Sequence, residues 1–258
     1  MKRILITNDD GYESPGLHAM IEALKDIAQL TVVAPATEKS ACGHSLTLTR
    51  PLRFIGVEDD FYKLDDGTPS DCIYLALHSF FEGSKPDLVI SGINRGSNMG
   101  EDITYSGTVA GAMEGVLQGV PSIAISQVVD FSQPSHDYTL AAKTIRYLVE
   151  KIFAGSFPLP QRELLNINVP SDVEEMKLAV TYAGYRRYGN DAHLHRNPRA
   201  EEYYWIGLHP LEYRERDGAH HRERMCDFDA IEKGYVSITP VHLDLSAYHA
   251  LDTLEAWL

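Results

Sequence analysis

The sequence predicts an α/β protein with a mostly parallel sheet covered by helices on both faces. Three observations predict it. Short β-rich apolar runs alternate with helix-period segments through the first two thirds of the chain. Such alternation implies βαβ units, whose crossovers are right-handed. Polar and glycine residues also gather directly after the apolar runs, where ligands bind on open parallel sheets. Finally, 258 residues, 44% of them apolar, suffice for one large α/β domain or two small ones.

The elements follow in order. "RILIT" (3–7) is a short strand. "SPGLHAMIEALKDIA" (14–28) carries Leu17, Met20, Ile21, Leu24 and Ile27 on one helical face, with Ser14 as N-cap and Pro15 at the first helical position. "LTVVAP" (30–35) is the next strand, followed by the polar loop "ATEKSACGHS". Residues 46–64 alternate less clearly and are read as smaller strands. "SDCIYLALHSFF" (70–81) is a largely buried helix, and "PDLVIS" (86–91) a third core strand. "GINRGSNMGEDITYSG" (92–107) is a long glycine-rich loop. "TVAGAMEGVLQG" (108–119) is a helix of small residues suited to close packing. "VPSIAIS" (120–126) is the fourth strand, 136–153 an amphipathic helix, and "LLNINVP" (164–170) the fifth strand. Residues 178–232 are rich in Tyr, Arg, His and charge with weak periodicity, and are read as an extended hairpin or arm. "GYVSITPVHLDL" (234–245) returns to strand and 246–258 closes as a helix.

Composition excludes several classes. The formal net charge is −14 and the pI near 5.1, unlike a binder of polymeric nucleic acid or anionic membranes. Cys42, Cys72 and Cys226 are odd in number and far apart, with no CxxC pair, so neither a disulfide framework nor a cysteine zinc site is expected. "MKRILIT" is too short an apolar run for a signal peptide, and nothing approaches the ~18–20 apolar residues of a membrane helix. The expected location is the cytoplasm.

Asp9 and Asp10 follow the first strand, Ser40 lies in the loop after the second, Asn94 follows the third, and Ser106, Gly107 and Thr108 end the same loop at a helix start. Topology places all of them on one edge. Two carboxylates, a hydroxyl and an amide oxygen form an all-oxygen set, which suits Mg²⁺ or Mn²⁺ better than zinc. A cation would offset the repulsion between adjacent carboxylates. Amides opening the 108–119 helix would favour an anion beside it, the outfit for phosphoryl transfer. Taken singly, each feature is a common turn or cap. Their convergence on one edge is what points to chemistry. "HLHR" (193–196) and "HHRER" (220–224) lack acidic or Cys partners at fixed spacing and are read as solvated arm residues.

The blocks "ILITNDDGYESPG", "VVAPATEKSACGHSLTL", "GTPSDC", "PDLVISGINRGSNMGEDITYSGTVAGAMEG", "PSIAIS", "LNINVP" and "GYVSITP" resemble, in that order, those of the SurE survival-protein family. The resemblance runs from residue 3 to the C-terminal helix. It implies a metal-dependent nucleotidase acting on nucleoside 5′- and 3′-monophosphates, with short polyphosphate as a further substrate, and one divalent cation per subunit. It implies a single domain with a Rossmann-like three-layer core (about 1–177 and 233–245), a β-hairpin arm (about 178–232) and a C-terminal helix (about 246–258), assembling as a homodimer or homotetramer. The family's metal ligands fall on Asp9, Asp10, Ser40 and Asn94. Its phosphate-proximal residues fall on Ser106, Gly107 and Thr108, and further site residues on Asn8 and Asn98. Asp9 is the expected catalytic carboxylate, as base or nucleophile.

Two other readings fit less well. A phospho-receiver module also has an acidic pair after its first strand, but needs an acceptor Asp where Ser91 and Gly92 stand, and a Lys that "IAISQ" does not offer. A zinc deacetylase with a "HPDD"-type start needs a His where Thr7 and Asn8 stand.

Overall fold

The computed structural model describes residues 1–188, 192–206, 210–214 and 223–258. Its elements are β1 (Arg3–Thr7), α1 (Pro15–Leu24), β2 (Gln29–Pro35), β3 (Arg53–Glu58), β4 (Phe61–Asp65), α2 (Pro69–Ser79), β5 (Leu88–Arg95), α3 (Asp102–Tyr105), α4 (Gly107–Leu117), β6 (Ser122–Gln127), α5 (Thr139–Ala154), β7 (Glu163–Val169), β8 (Leu178–Val180), β9 (Tyr185–Tyr188), β10 (Ala192–Arg196), β11 (Glu202–Ile206), β12 (Pro210–Arg214), α6 (Asp227–Glu232), β13 (Val236–His242) and α7 (Leu251–Trp257).

Among the described residues, nine strands form one sheet in the order β3-β4-β2-β1-β5-β6-β7-β13-β8. The run from β4 through β7 is parallel. β3 and β13 pair antiparallel with β4 and β7. Alternation within β1 shows why three layers form. Ile4 and Ile6 point to the face covered by α1 and α5, where they meet Leu17, Met20, Ala141 and Ile145. Leu5 points to the opposite face, beside Cys72, Ile73 and Ala76 of α2. α4 packs on that second face too, against α2, β5 and β6.

The chain leaves β1 for β2 on one side and later returns to β5 on the other. That reversal makes β1 and β5 the switch point of the sheet, and their carboxyl ends frame its crevice. Every site element derives its position from this arrangement.

Several boundaries differ from the sequence reading. α1 stops at Leu24 rather than 28, because Lys25 caps it and Ala28 is already buried ahead of β2. β5 does not end at Ser91. After a register irregularity between Ser91 and Asn94 it pairs on with β6 as far as Arg95. The 92–107 segment is thus partly strand and also contains α3. "GTPSDC" is a structural cap: Thr68 and Asp71 form a capping box, and Asp71 also accepts from Thr47 N and Oγ1 at 2.8 and 2.7 Å.

The 178–232 region is not wholly an arm. β8 joins the main sheet beside β13. α6 packs on β13, and its Phe228 is buried with Met99 and Cys226. Among the other described residues of the region are two separate two-stranded pairings, β10–β11 and β9–β12; "HLHR" lies on the exposed β10, and most of "HHRER" falls outside the described residues. At the C-terminus, a short 3₁₀ turn precedes α7, whose residues are all exposed. Among the described residues no helix is long and apolar enough to cross a membrane.

Asp227 joins the two regions. Buried at the start of α6, it accepts backbone hydrogens from Gly100 at 2.8 Å and Gly184 at 2.9 Å. Removing the acceptor strands buried N–H groups. Asp227→Ala is expected to lower unfolding free energy by about 2–4 kcal/mol in urea titrations; a loss below ~0.5 kcal/mol would mean that the junction does not depend on this carboxylate.

Candidate functional site

β1 delivers two carboxylates to the crevice in different environments. Asp9 is 3% exposed. Its Oδ2 accepts from Thr108 N at 3.1 Å and its Oδ1 from Thr108 Oγ1. Asp10 accepts from Arg95 N at 2.8 Å through Oδ2. One Asp is therefore tied to the start of α4 and the other to the end of β5.

The contact with α4 is close enough to dictate sequence. A β-carbon on Gly107 would stand 2.9 Å from both Asp9 Cβ and Cys42 Sγ. Only glycine lets the helix start approach the carboxylate so nearly. Ser106 caps the helix, its Oγ accepting from Val109 N at 3.0 Å. The anion at this helix start is thus Asp9 itself. The sequence predicts amides bare for a substrate anion; in the fold Thr108 N serves Asp9 and Val109 N serves Ser106. Among the described residues, no protein acceptor takes the Gly107 N–H.

Asn8 donates from Nδ2 to Gly11 O and to Ser14 Oγ, both at 2.8 Å, fastening the turn between β1 and α1. Among the described residues its buried Oδ1 finds no hydrogen-bond partner. Asn94 donates from Nδ2 to Gly96 O at 2.7 Å, which leaves its Oδ1 out of that bond. Ser40 is exposed, and its Oγ donates to Glu38 Oε1 at 2.7 Å. Its loop is nevertheless held at the pair, because Lys39 N donates to Asp9 O at 2.7 Å. Asn98 is a hub behind the site. It binds Ser126 and Asn168 through Nδ2 and N, and receives Asn166 and Asn168 on its carbonyl. The structure therefore gathers Asn8, Asp9, Asp10, Asn94, Ser106, Gly107 and Thr108 at one edge, aims Ser40 at Glu38, and gives Asn98 bonds that brace β6 and β7.

Several participants were not found from sequence. Glu38 stands close enough to Asp10 to raise its pKa. Glu38 also lines a pocket of about 280 Å³ together with Asp10, Glu13, Ser14, Arg95 and Tyr138. His44 Nε2 meets the buried Glu114 Oε2 at 2.8 Å, pinning the Ser40 loop to α4. Burial pushes Glu114 up, but the bonds from His44 and Gln118 outweigh it and leave the carboxyl below its usual value. The "AMEG" stretch signals a carboxylate in an otherwise apolar helix, but nothing in the sequence ties it to His44.

Electrostatics fit the pair to a cation. Burial, and then the Asp10 charge, push Asp9 up to about 7 despite its bonds to Thr108. Burial also raises Asp10, against the Arg95 N–H and charge. Burial, with the charge of Asp9 behind it, pushes the Cys42 thiol up to about 11. Among the described residues no group of three or more His, Cys, Asp or Glu side chains could hold a metal. A cation at Asp9 and Asp10 would complete its shell from amide, hydroxyl and water oxygens. That donor set suits a hard divalent ion.

Comparisons with known proteins show the family and the fold. The sequence model of the family described as Survival protein SurE matches residues 4–190. A protein of Sulfurimonas denitrificans named 5′-nucleotidase SurE is 64% identical, over 99% of this chain and 98% of its own. Proteins of the same name from Wolinella succinogenes and Nitratiruptor are 62% and 60% identical, over 100% of both chains. A crystal structure of the SurE protein from Aquifex aeolicus superposes with a TM-score of 0.82 at 41% identity, covering 99% of each chain.

With divalent ions chelated, Asp9 is protonated in the fold up to about pH 7 but ionised in the unfolded chain above about 3.8. The fold then binds the extra proton, so stability falls as pH rises through that window. In EDTA, Asp9→Asn is expected to melt a few degrees above wild type at pH 8 and to lose that advantage at pH 4. Equal melting at both values would mean that the carboxylate is not strained by burial.

Proposed function

The chain belongs to the SurE survival-protein family, and we propose that it is a phosphomonoesterase hydrolysing nucleoside 5′-monophosphates to nucleoside and phosphate. The relatives that bear the name 5′-nucleotidase span its full length, which supports this activity. The observation that carries the reading is the buried Asp9, clasped by the start of α4 beside Asp10 at the switch point of the sheet. The proposal extends to 3′-monophosphates and short polyphosphate, since their terminal phosphoryl groups offer the same oxygens to the site.

Asp9, Asp10, Asn94 and Ser40 would hold one Mg²⁺ or Mn²⁺. Bound there, the ion would supply Lewis-acid polarisation of a phosphoryl oxygen and neutralise developing charge. Thr108 holds the Asp9 carboxylate in one orientation through two bonds. Asp9 would then either take a proton from the attacking water or attack phosphorus itself. Gly107 N–H and Ser106 would hold phosphoryl oxygens, whose negative charge the start of α4 would favour. Asn8 fastens the turn after β1, and Asn98 braces β6 and β7 behind the site.

The proposal includes a cytoplasmic location, which three free thiols support. Its partners are small nucleotides, not polymeric nucleic acid or membrane, as the net charge of −14 supports. A homodimer or homotetramer is proposed because Tyr204, Trp205 and Ile206 on β11 and Leu251, Leu254 and Trp257 on α7 are exposed.

The experiment is phosphate release from a panel of 5′- and 3′-nucleoside monophosphates, in EDTA and with Mg²⁺ or Mn²⁺ restored. Metal-dependent release, reduced about 10³-fold or more by Asp9→Asn, is expected. Near-normal turnover of Asp9→Asn at saturating metal, or no release from any nucleotide, would refute the proposal.

A further inference from the structure

Phe131 lies in the loop between β6 and α5 with 69% of its surface exposed. It is nevertheless a placed ring. The Arg95 guanidinium lies over it, 5.7 Å from the ring centroid. Gly96 makes room beneath it: a β-carbon there would come within 3.1 Å of Phe131 Cζ, and the glycine φ is +122°. The same point lies 4.0 Å from Asn94 Nδ2. Ring edge and amide nitrogen thus both lie within 4.0 Å of one point beside Gly96.

Three consecutive residues connect this ledge to the reaction centre. Asn94 is a proposed cation ligand. Arg95 bonds Asp10 through its backbone N–H at 2.8 Å while its side chain covers the aromatic ring. Gly96 creates the flat space. Arg95 also lines the roughly 280 Å³ pocket that opens beside Asp10, where the other charged lining groups, Glu13 and Glu38, are carboxylates. A substrate phosphorus at Asp9 would therefore leave the rest of its molecule within reach of a planar cation and an exposed phenyl face.

From this juxtaposition we infer that Phe131 and Arg95 form the nucleobase subsite, holding a purine or pyrimidine ring by stacking. The inference rests on the nucleotidase reading and adds the residues that select nucleotides over other phosphomonoesters. Bases stack on aromatic rings and on guanidinium planes through their π-faces. Stacking does not read hydrogen-bonding edges, so the subsite accepts several bases and favours purines, whose fused rings overlap the ledge more fully.

The test compares AMP with ribose 5-phosphate, which keeps the sugar and the ester but lacks the base. Steady-state kinetics are measured for wild type, Phe131→Ala and Phe131→Tyr. Phe131→Ala is expected to raise KM for AMP about tenfold, with kcat within about twofold, since base–aromatic stacking has that order of effect. KM for ribose 5-phosphate stays unchanged, and Phe131→Tyr restores the AMP value. A Phe131→Ala effect that is equal on both substrates, or absent from both, overturns the inference while leaving the phosphatase activity standing. Wild type that releases no phosphate from AMP overturns the activity reading, and the subsite falls with it.

Discussion

Two adjacent carboxylates at the end of a buried central strand cannot both ionise there without help. Asp9 lies at 3% exposure with Asp10 beside it, and desolvation and mutual repulsion both act against charge. The surrounding structure answers this constraint. α4 aims its first turn at Asp9, Gly107 removes the side chain that would keep the helix away, and Thr108 spends both its N–H and its hydroxyl on that carboxylate. β5 runs past its irregularity to bring Arg95 N–H to Asp10. These donors reduce the cost of charge without cancelling it, since Asp9 still sits near 7. The residual deficit is what a divalent cation would remove.

Much of this was legible in the sequence, and the reason is periodicity. The alternation of β1, β2, β5, β6 and β7 with helices fixed the layers, and the edge rule then selected Asp9, Asp10, Asn94 and the Ser106–Thr108 cap. Non-local choices were not legible. Whether the amides of α4 face a substrate or Asp9 depends on how closely the helix approaches β1, which Gly107 permits but does not announce. The extension of β5 through Asn94 depends on pairing with β6, a partner about thirty residues away that no local propensity encodes. α6 was missed because its six residues are too few for a helical period, and its place is set by Asp227 collecting N–H groups from Gly100 and Gly184. The position of Ser40 after β2 makes it a candidate ligand, but does not give the direction of its hydroxyl. In the fold its hydroxyl is turned to Glu38, a carboxylate two residues earlier in the same loop.

Charge has a double role here. A net charge of −14 and an acidic pocket rim of Asp10, Glu13 and Glu38 would repel a phosphate dianion. Small-molecule specificity on such a surface needs local positive charge at defined points. Arg95 provides one and the start of α4 another, and a cation at Asp9 and Asp10 would provide the third. The same acidity that would discourage polymeric nucleic acid would thus coexist with the proposed recognition of a single phosphorylated nucleoside.

The most direct test is Mn²⁺ titration of the purified protein followed by electron paramagnetic resonance. Loss of the free-ion signal should saturate at one Mn²⁺ per chain in wild type and require much higher Mn²⁺ in Asp9→Asn and Asp10→Asn. Binding unaffected by both substitutions, or no binding to wild type, would contradict a carboxylate pair built for a cation.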